Sequence, residues 1–298
     1  MDKAQKIVVI GAGLMGTGIA HGFAVSGFSV LLIDTDQKAL SRATAQIGKL
    51  LQDGVALGKL DSARLDATLA RLKTATAIDD AIGDAVLLVE TATEKLDIKQ
   101  GILGRAAALL PADAVLATNT SALSISELAA SSGRPDRFLG MHFFNPVHKM
   151  KLLEIIRGIE TSDETVAKAQ GWGKALGKTS IVVNEAPGFT TSRMSAMMGN
   201  EAMYMLAEGV ASAEDIDTAL RLGFNHPMGP LELGDLTGWD TRLSVLHYLH
   251  QTLGEKFRPC PLIIKMVKSG RIGRKSGKGV YHYDAEGNKI PGSGLRIA

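Results

Sequence analysis

Apolar residues follow two alternating rhythms over residues 1–184 of this chain and a single rhythm after that. Four short, almost unbroken apolar runs (residues 6–10, 28–33, 85–89 and 114–117) have the composition of strands buried on both faces of a parallel sheet. Between them apolar positions recur three and four apart. This spacing predicts helices over 17–26, 36–53 (Ala39, Leu40, Ala43, Ile47, Leu50, Leu51), 61–72 and 94–110, the last stopped by Pro111. Alternation of this kind implies crossover units and a mostly parallel sheet. Residues 36–73 form a helical excursion longer than a minimal crossover needs. Residues 137–143 read as a strand that ends at His142 and is broken by Asn145-Pro146. A second apolar run follows, Leu152-Leu-Glu154-Ile-Ile156, then a helix opening at Thr161-x-x-Glu164 and a last strand over 178–183. Residues 184–188 read as a hinge, and from Phe189 to Lys268 only helical spacing recurs. The expected organisation is an α/β domain over 1–184 and an all-α domain over 185–298.

The first strand runs into Gly11-Ala-Gly13-Leu14-Met15-Gly16, and a helix follows. A GxGxxG loop in that context is the dinucleotide fingerprint. The first glycine permits the tight turn, the second lets the pyrophosphate approach the backbone, and the third lets helix and strand pack closely. The helix N-terminus then offers amides and a positive dipole end to the phosphates. The second strand ends in Asp34, about twenty residues on, where a carboxylate receives the ribose hydroxyls and repels a 2′-phosphate. The N-terminal domain is therefore expected to be a Rossmann-type NAD-binding domain, with NAD preferred over NADP. Glu94 and Lys99 follow the third buried-type strand, and Thr118-Asn119-Thr-Ser121 follows the fourth, so both groups fall near the cofactor crevice. Ser124-Ile-Ser-Glu127 reads as a capping box, which leaves Asn119 and Ser121 to bond a nicotinamide or a substrate oxygen.

Two strands joined by a turn near Val147–His148 would bring His142 and Glu154 side by side. A carboxylate set between Leu153 and Ile155 is expensive to bury unless something pairs with it. An imidazole is the obvious partner, and a carboxylate-oriented imidazole is a general base for chemistry near neutral pH. The alternative is that His142 caps a strand while Glu154 faces solvent on an edge.

The formal charge of +2 argues against a nucleic-acid binder that relies on phosphate neutralisation. Basic residues near the C-terminus (Lys265 to Lys278) and the turn Arg274-Lys-Ser-Gly-Lys-Gly279 read as a solvated face and a tail turn. Lys49 and Lys59 in the excursion could meet a phosphate, although surface lysines on a helix pair are the simpler reading. Cys260 is the single cysteine, which suits a reducing compartment. The start shows no signal peptide and no apolar run approaches membrane length, so a cytoplasmic protein is expected, with no membrane and no metal.

These residues resemble the L-3-hydroxyacyl-CoA dehydrogenases, especially the short-chain 3-hydroxybutyryl-CoA members. The resemblance runs over essentially the whole chain. It rests on Gly11–Gly16, Glu90-Thr-Ala-Thr-Glu94, Asn119-Thr-Ser121, Gly140-Met-His-Phe-Phe-Asn-Pro146, Leu152-Leu-Glu154, Pro187-Gly-Phe189, His226-Pro-Met-Gly-Pro230 and Gly273–Gly279. It implies His142 as the catalytic histidine, Glu154 as its orienting carboxylate and Ser121 as a donor to the substrate oxygen. Asn145 takes a supporting role beside them. Asp34, Glu94, Lys99 and Asn119 would hold NAD, an acyl-CoA would be the substrate, and the helical domain would form a homodimer; from its place in the excursion, Lys49 is a candidate contact for that substrate. One position departs: Ser192 stands where many members carry an asparagine that helps hold the substrate. Two alternatives stay open, the same chemistry on another 3-hydroxy acid or a dicarboxylyl-CoA, and a non-catalytic NAD-binding scaffold.

Overall fold

The computed structural model describes residues 5–296, which divide by their internal contacts between Ala186 and Pro187. In the first unit the order is β1 (Lys6–Ile10), α1 (Leu14–Val25), β2 (Ser29–Ile33), α2 (Gln37–Ala56), α3 (Ala63–Ala70), β3 (Leu72–Ala75) and β4 (Ala85–Glu90). It continues through α4 (Leu96–Leu109), β5 (Val115–Thr118), α5 (Ile125–Ser132), β6 (Phe138–Phe143), β7 (Leu152–Arg157), α6 (Asp163–Ala175) and β8 (Thr179–Asn184). The eight strands form one sheet in the order β3-β2-β1-β4-β5-β6-β7-β8. Every neighbouring pair is parallel except β6 and β7, which run antiparallel. The strand order reverses at β1, between β2 and β4, and the crevice outside the carboxyl ends there is where an open α/β sheet takes ligands. Apart from residues at or next to their ends, the central strands are apolar because helices cover both faces. Ile7, Val9, Leu32, Leu87, Val89, Val115 and Leu139 are fully buried, each stabilising the fold by about 1.5–3 kcal/mol.

The second unit contains α7 (Thr191–Ala207), α8 (Ala213–Gly223), α9 (Pro230–Thr237), α10 (Trp239–Leu253) and α11 (Pro261–Lys268). Its core gathers Met203, Leu231, Trp239, Leu246, Leu249 and Ile263. The α7 methionines divide between roles, since Met203 is fully buried and Met194 is exposed. Among the described residues no helix is long and apolar enough to cross a membrane.

Three local expectations change. The helix expected over 61–72 stops at Ala70, and β3 follows on the open edge of β2 with Val30 opposite Leu72. Ser162, not Thr161, caps α6 by accepting from the Thr165 N–H, while the buried Thr161 hydroxyl donates to the Phe138 carbonyl. The glycine-rich turn after α11 is more than a tail: a side chain at Gly273 or Gly279 would collide with Asp235 of α9, so these glycines let the chain wrap a buried carboxylate.

Candidate active site

The glycine loop is shaped by close contacts. Gly11 has φ of +102°, and its N–H donates to the Ile33 carbonyl at 2.7 Å. A Cβ on Gly16 would lie 1.8 Å from the Gly11 carbonyl oxygen, so only glycine lets α1 begin against β1. Gly13 differs. Beyond its chain neighbours, an added Cβ there would meet no atom of the described residues within 4 Å, so the space in front of it is open to a ligand. No side chain caps α1 and no acid occupies its first turn, which leaves its amides and positive end open to an anion. Leu14 is exposed at that end and Met15 packs against the core. Asp34, at the end of β2, accepts from the Ala12 N–H at 2.7 Å and the Asp36 N–H at 2.9 Å. Each oxygen has acceptor capacity left, and Asp34 lines a cleft of about 770 Å³ together with Gly13, Arg42, Gln46, Asn145 and His148. An approachable backbone, an open helix end and an acid at the second strand fit NAD.

The histidine and glutamate meet across the one antiparallel pair. His142 lies directly opposite Glu154 in the β6–β7 register, and Nδ1 is 2.6 Å from Glu154 Oε2. Glu154 is fully buried and His142 is 6% exposed. An ionised carboxylate only accepts, so Nδ1 carries the proton and Nε2 presents its lone pair. Nε2 lies 3.3 Å from the Ser121 hydroxyl, which donates to it. Phe144 packs against the imidazole with ring centroids 4.6 Å apart. Asn119 Oδ1 accepts the Phe143 N–H at 2.8 Å, tying the end of β5 to the residue beside His142.

Glu94 accepts from the Ser121 N–H at 2.9 Å and the Thr120 hydroxyl at 2.5 Å, both on Oε1. Lys99 is fully buried and sits behind this turn, 2.9 and 3.0 Å from the two oxygens of Glu90 and 3.5 Å from Glu94 Oε2. Its place is thus beneath Glu94. Lys49 stands exposed on α2 and is not among the residues lining the cleft. Ser192 belongs to the first turn of α7 in the second unit.

Sequence reasoning placed Glu90, Thr118 and Thr120 inside motifs but gave none of them a role of its own. Glu90 ends a wholly apolar strand, the same signal that singled out Glu154. Lys99 occupies the buried stripe of α4 with Leu103, Ala106 and Ala107, a helical spacing that betrays a buried lysine. The Ser124 side chain caps the Glu127 N–H, as a capping box requires, and its hydroxyl also donates to Glu185 Oε1 at 2.5 Å. Histidines also meet in this unit. His21 of α1 lies against His148 with ring centroids 6.2 Å apart, and burial above all, helped by His148, pushes His21 down to about 4.

Fold and site together define an NAD-binding dehydrogenase with a histidine–carboxylate pair. Residues 6–186 match the family profile described as 3-hydroxyacyl-CoA dehydrogenase, NAD binding domain, and residues 188–283 match the profile of its C-terminal domain. The chain is 44% identical to a 3-hydroxybutyryl-CoA dehydrogenase of Bradyrhizobium diazoefficiens over 94% of its own length and 95% of that protein. It is 39% identical to a 3-hydroxyadipyl-CoA dehydrogenase of Escherichia coli, over 98% of its own length and 62% of that protein. The crystal structure of (S)-3-hydroxybutyryl-CoA dehydrogenase PaaH1 from Ralstonia eutropha superposes with a TM-score of 0.91 at 42% identity, covering 94% of this chain and 99% of that one. The chain belongs to the 3-hydroxyacyl-CoA dehydrogenase family and is an oxidoreductase.

Proposed function

We propose that this chain interconverts short-chain (S)-3-hydroxyacyl-CoA and 3-oxoacyl-CoA, with His142 as general acid and base. The observation that carries the reading is the 2.6 Å contact between His142 and a fully buried Glu154, with Nε2 turned toward Ser121. Bound NAD supplies the hydride acceptor. His142 Nε2 takes the proton of the 3-hydroxyl during oxidation and returns it to the oxygen during reduction. Glu154 holds the tautomer and stabilises the imidazolium, and the Ser121 hydroxyl donates to the same substrate oxygen. Asn119 fixes the strand end that carries His142, and Asn145 stands by in the adjoining turn. The Gly11–Gly16 loop, Asp34 and Glu94 hold the dinucleotide, with Lys99 supporting Glu94 from below. Lys49 and Ser192 are the proposed acyl-CoA contacts. The helical unit pairs two copies, a reading supported by the exposed Leu222 and Phe224 at the end of α8. The buried Cys260 thiol suits a reducing cytoplasm.

The second reading is a 3-hydroxydicarboxylyl-CoA substrate, favoured by the Escherichia coli relative. Loss of NADH absorbance with acetoacetyl-CoA, beside NADPH, a longer 3-oxoacyl-CoA and a dicarboxylyl-CoA, tests both. NADH consumption fastest with the short thioester is expected, and fastest turnover of the dicarboxylyl-CoA would select the second reading. His142→Ala should lower kcat by about 10²–10⁴-fold while NADH still binds. Near-normal turnover in that variant, or preference for NADPH, would overturn the corresponding assignment.

A further inference from the structure

We propose that Glu90, resting on the dehydrogenase reading above, is a positioning residue that sets the Ser121 hydroxyl through Lys99 and Glu94. Glu90 ends β4 and is fully buried. Its carboxylate accepts from the Ala92 N–H at 2.6 Å, from the Thr118 hydroxyl at 2.7 Å, and from Lys99 Nζ at 3.0 and 2.9 Å. Lys99 is as deeply buried as its partner. Desolvating such a pair costs about as much as the attraction returns, and a packed apolar pair would serve the fold as well. The ammonium has another partner, which gives the arrangement a direction. Lys99 Nζ stands 3.5 Å from Glu94 Oε2, and the other oxygen of Glu94 holds the Ser121 N–H and the Thr120 hydroxyl. Glu94 is otherwise a half-exposed side chain, so the buried lysine is what anchors it from the interior.

Glu90 reaches the same turn by its main chain. Its carbonyl accepts the Asn119 N–H at 2.8 Å, and Asn119 in turn accepts from Phe143. Residues 119–121 are therefore tied to Glu90 at both ends, directly through the Asn119 N–H and indirectly through Lys99 and Glu94 at Ser121. The Ser121 hydroxyl stands 3.3 Å from His142 Nε2, a separation a small tilt of this turn would open. Displacements of about 1 Å at a reacting group can cost about 10²-fold in rate.

The test places Glu90→Gln in the wild-type protein and in a Ser121→Ala background. Action through the hydroxyl predicts that kcat falls about tenfold in the first and less than about twofold in the second, because coupled residues are not additive. A merely structural role predicts equal losses in both backgrounds and would overturn the proposal, as would no loss in the wild type. Thr118→Val removes one donor to Glu90 and no charge. It should fold where Glu90→Gln does not, with about a threefold loss that likewise vanishes without the Ser121 hydroxyl. A second readout needs no turnover. In ¹⁵N-histidine spectra of the unliganded protein, Glu90→Gln should move the His142 Nε2 resonance toward its position in Ser121→Ala. An unmoved resonance would overturn the proposal. If the wild type turned over no 3-oxoacyl-CoA, the activity reading would fail while the resonance still decided the role of Glu90.

Discussion

Both units bury carboxylates and surround them with donors, yet they use them differently. In the helical unit Asp235 accepts from the Trp239 indole and the Val280 N–H on one oxygen, and from the Tyr281 N–H and the Tyr283 hydroxyl on the other. Asp217 accepts the Leu231 and Glu232 amides and the Tyr281 hydroxyl. Burial pushes both acids up, with the donors opposing it. These donors are amides, an indole and phenols, none of which exchanges a proton near neutral pH, and burial pushes the Tyr281 and Tyr283 phenols higher still. The acids pin α8, α9 and the C-terminal turn and go no further. Glu154 meets an imidazole, whose second nitrogen opens toward Ser121. A buried acid is therefore no mark of chemistry by itself; what matters is whether its donor can pass a proton onward.

Three substitutions press on this contrast, beginning with the largest effect. Glu154→Gln keeps the shape but presents an amide that also satisfies the wrong tautomer of His142. Turnover should fall by about a hundredfold, roughly 2.7 kcal/mol of barrier, with little change in melting temperature. Unchanged kcat would break the distinction. Asp235→Asn should do the reverse, because an amide N–H would face the Tyr281 N–H. Thermal or urea unfolding should show a loss of about 2 kcal/mol, and intact stability would show the network to be loosely held.

The smallest effect concerns His21, whose buried Nδ1 has no hydrogen-bond partner among the described residues. Its folded value of about 4 lies below the ordinary 6.5, so between those values the unfolded chain binds the extra proton. Stability should thus begin to fall as the pH drops toward that window, by about 1 kcal/mol between pH 8 and pH 6, and fall further within it. The raised values of Asp217 and Asp235 work the other way, since their folded forms hold a proton more readily than the unfolded chain does. Urea unfolding of His21→Gln should show a flatter pH dependence, and an unchanged slope would assign the loss to other groups.

Much of the first unit was legible before any coordinates. Unbroken apolar runs mark strands covered on both faces, and the glycine loop carries its own context of strand, helix and Asp34. The pairing of His142 with Glu154 was one of two readings the spacing left open, and the β6–β7 register selects it. β3 escaped because Leu72-Lys-Thr-Ala75 has little strand character of its own and is extended only where the edge of β2 offers a ladder. The burial of Lys99, though not its place near the cofactor crevice, escaped for another reason. A lysine is read as solvated by default, and its burial becomes visible only when its helical neighbours Leu103 and Ala106 are counted with it. The wrap of Gly273 and Gly279 around Asp235 joins residues far apart in the chain, which no local pattern announces.

The single antiparallel pair in the sheet has a consequence for how this protein can vary. A ladder has no intermediate settings. Slipping β7 by one residue against β6 would turn Glu154 to the opposite face, so the spacing of the pair cannot drift by small degrees. Changes in the length of the turn over residues 144–151 are consequently either absorbed whole, with the register kept, or fatal to the pairing. The geometry of the His142–Glu154 pair is thus a discrete state of the ladder, and changes elsewhere in this chain leave it alone as long as the register is kept.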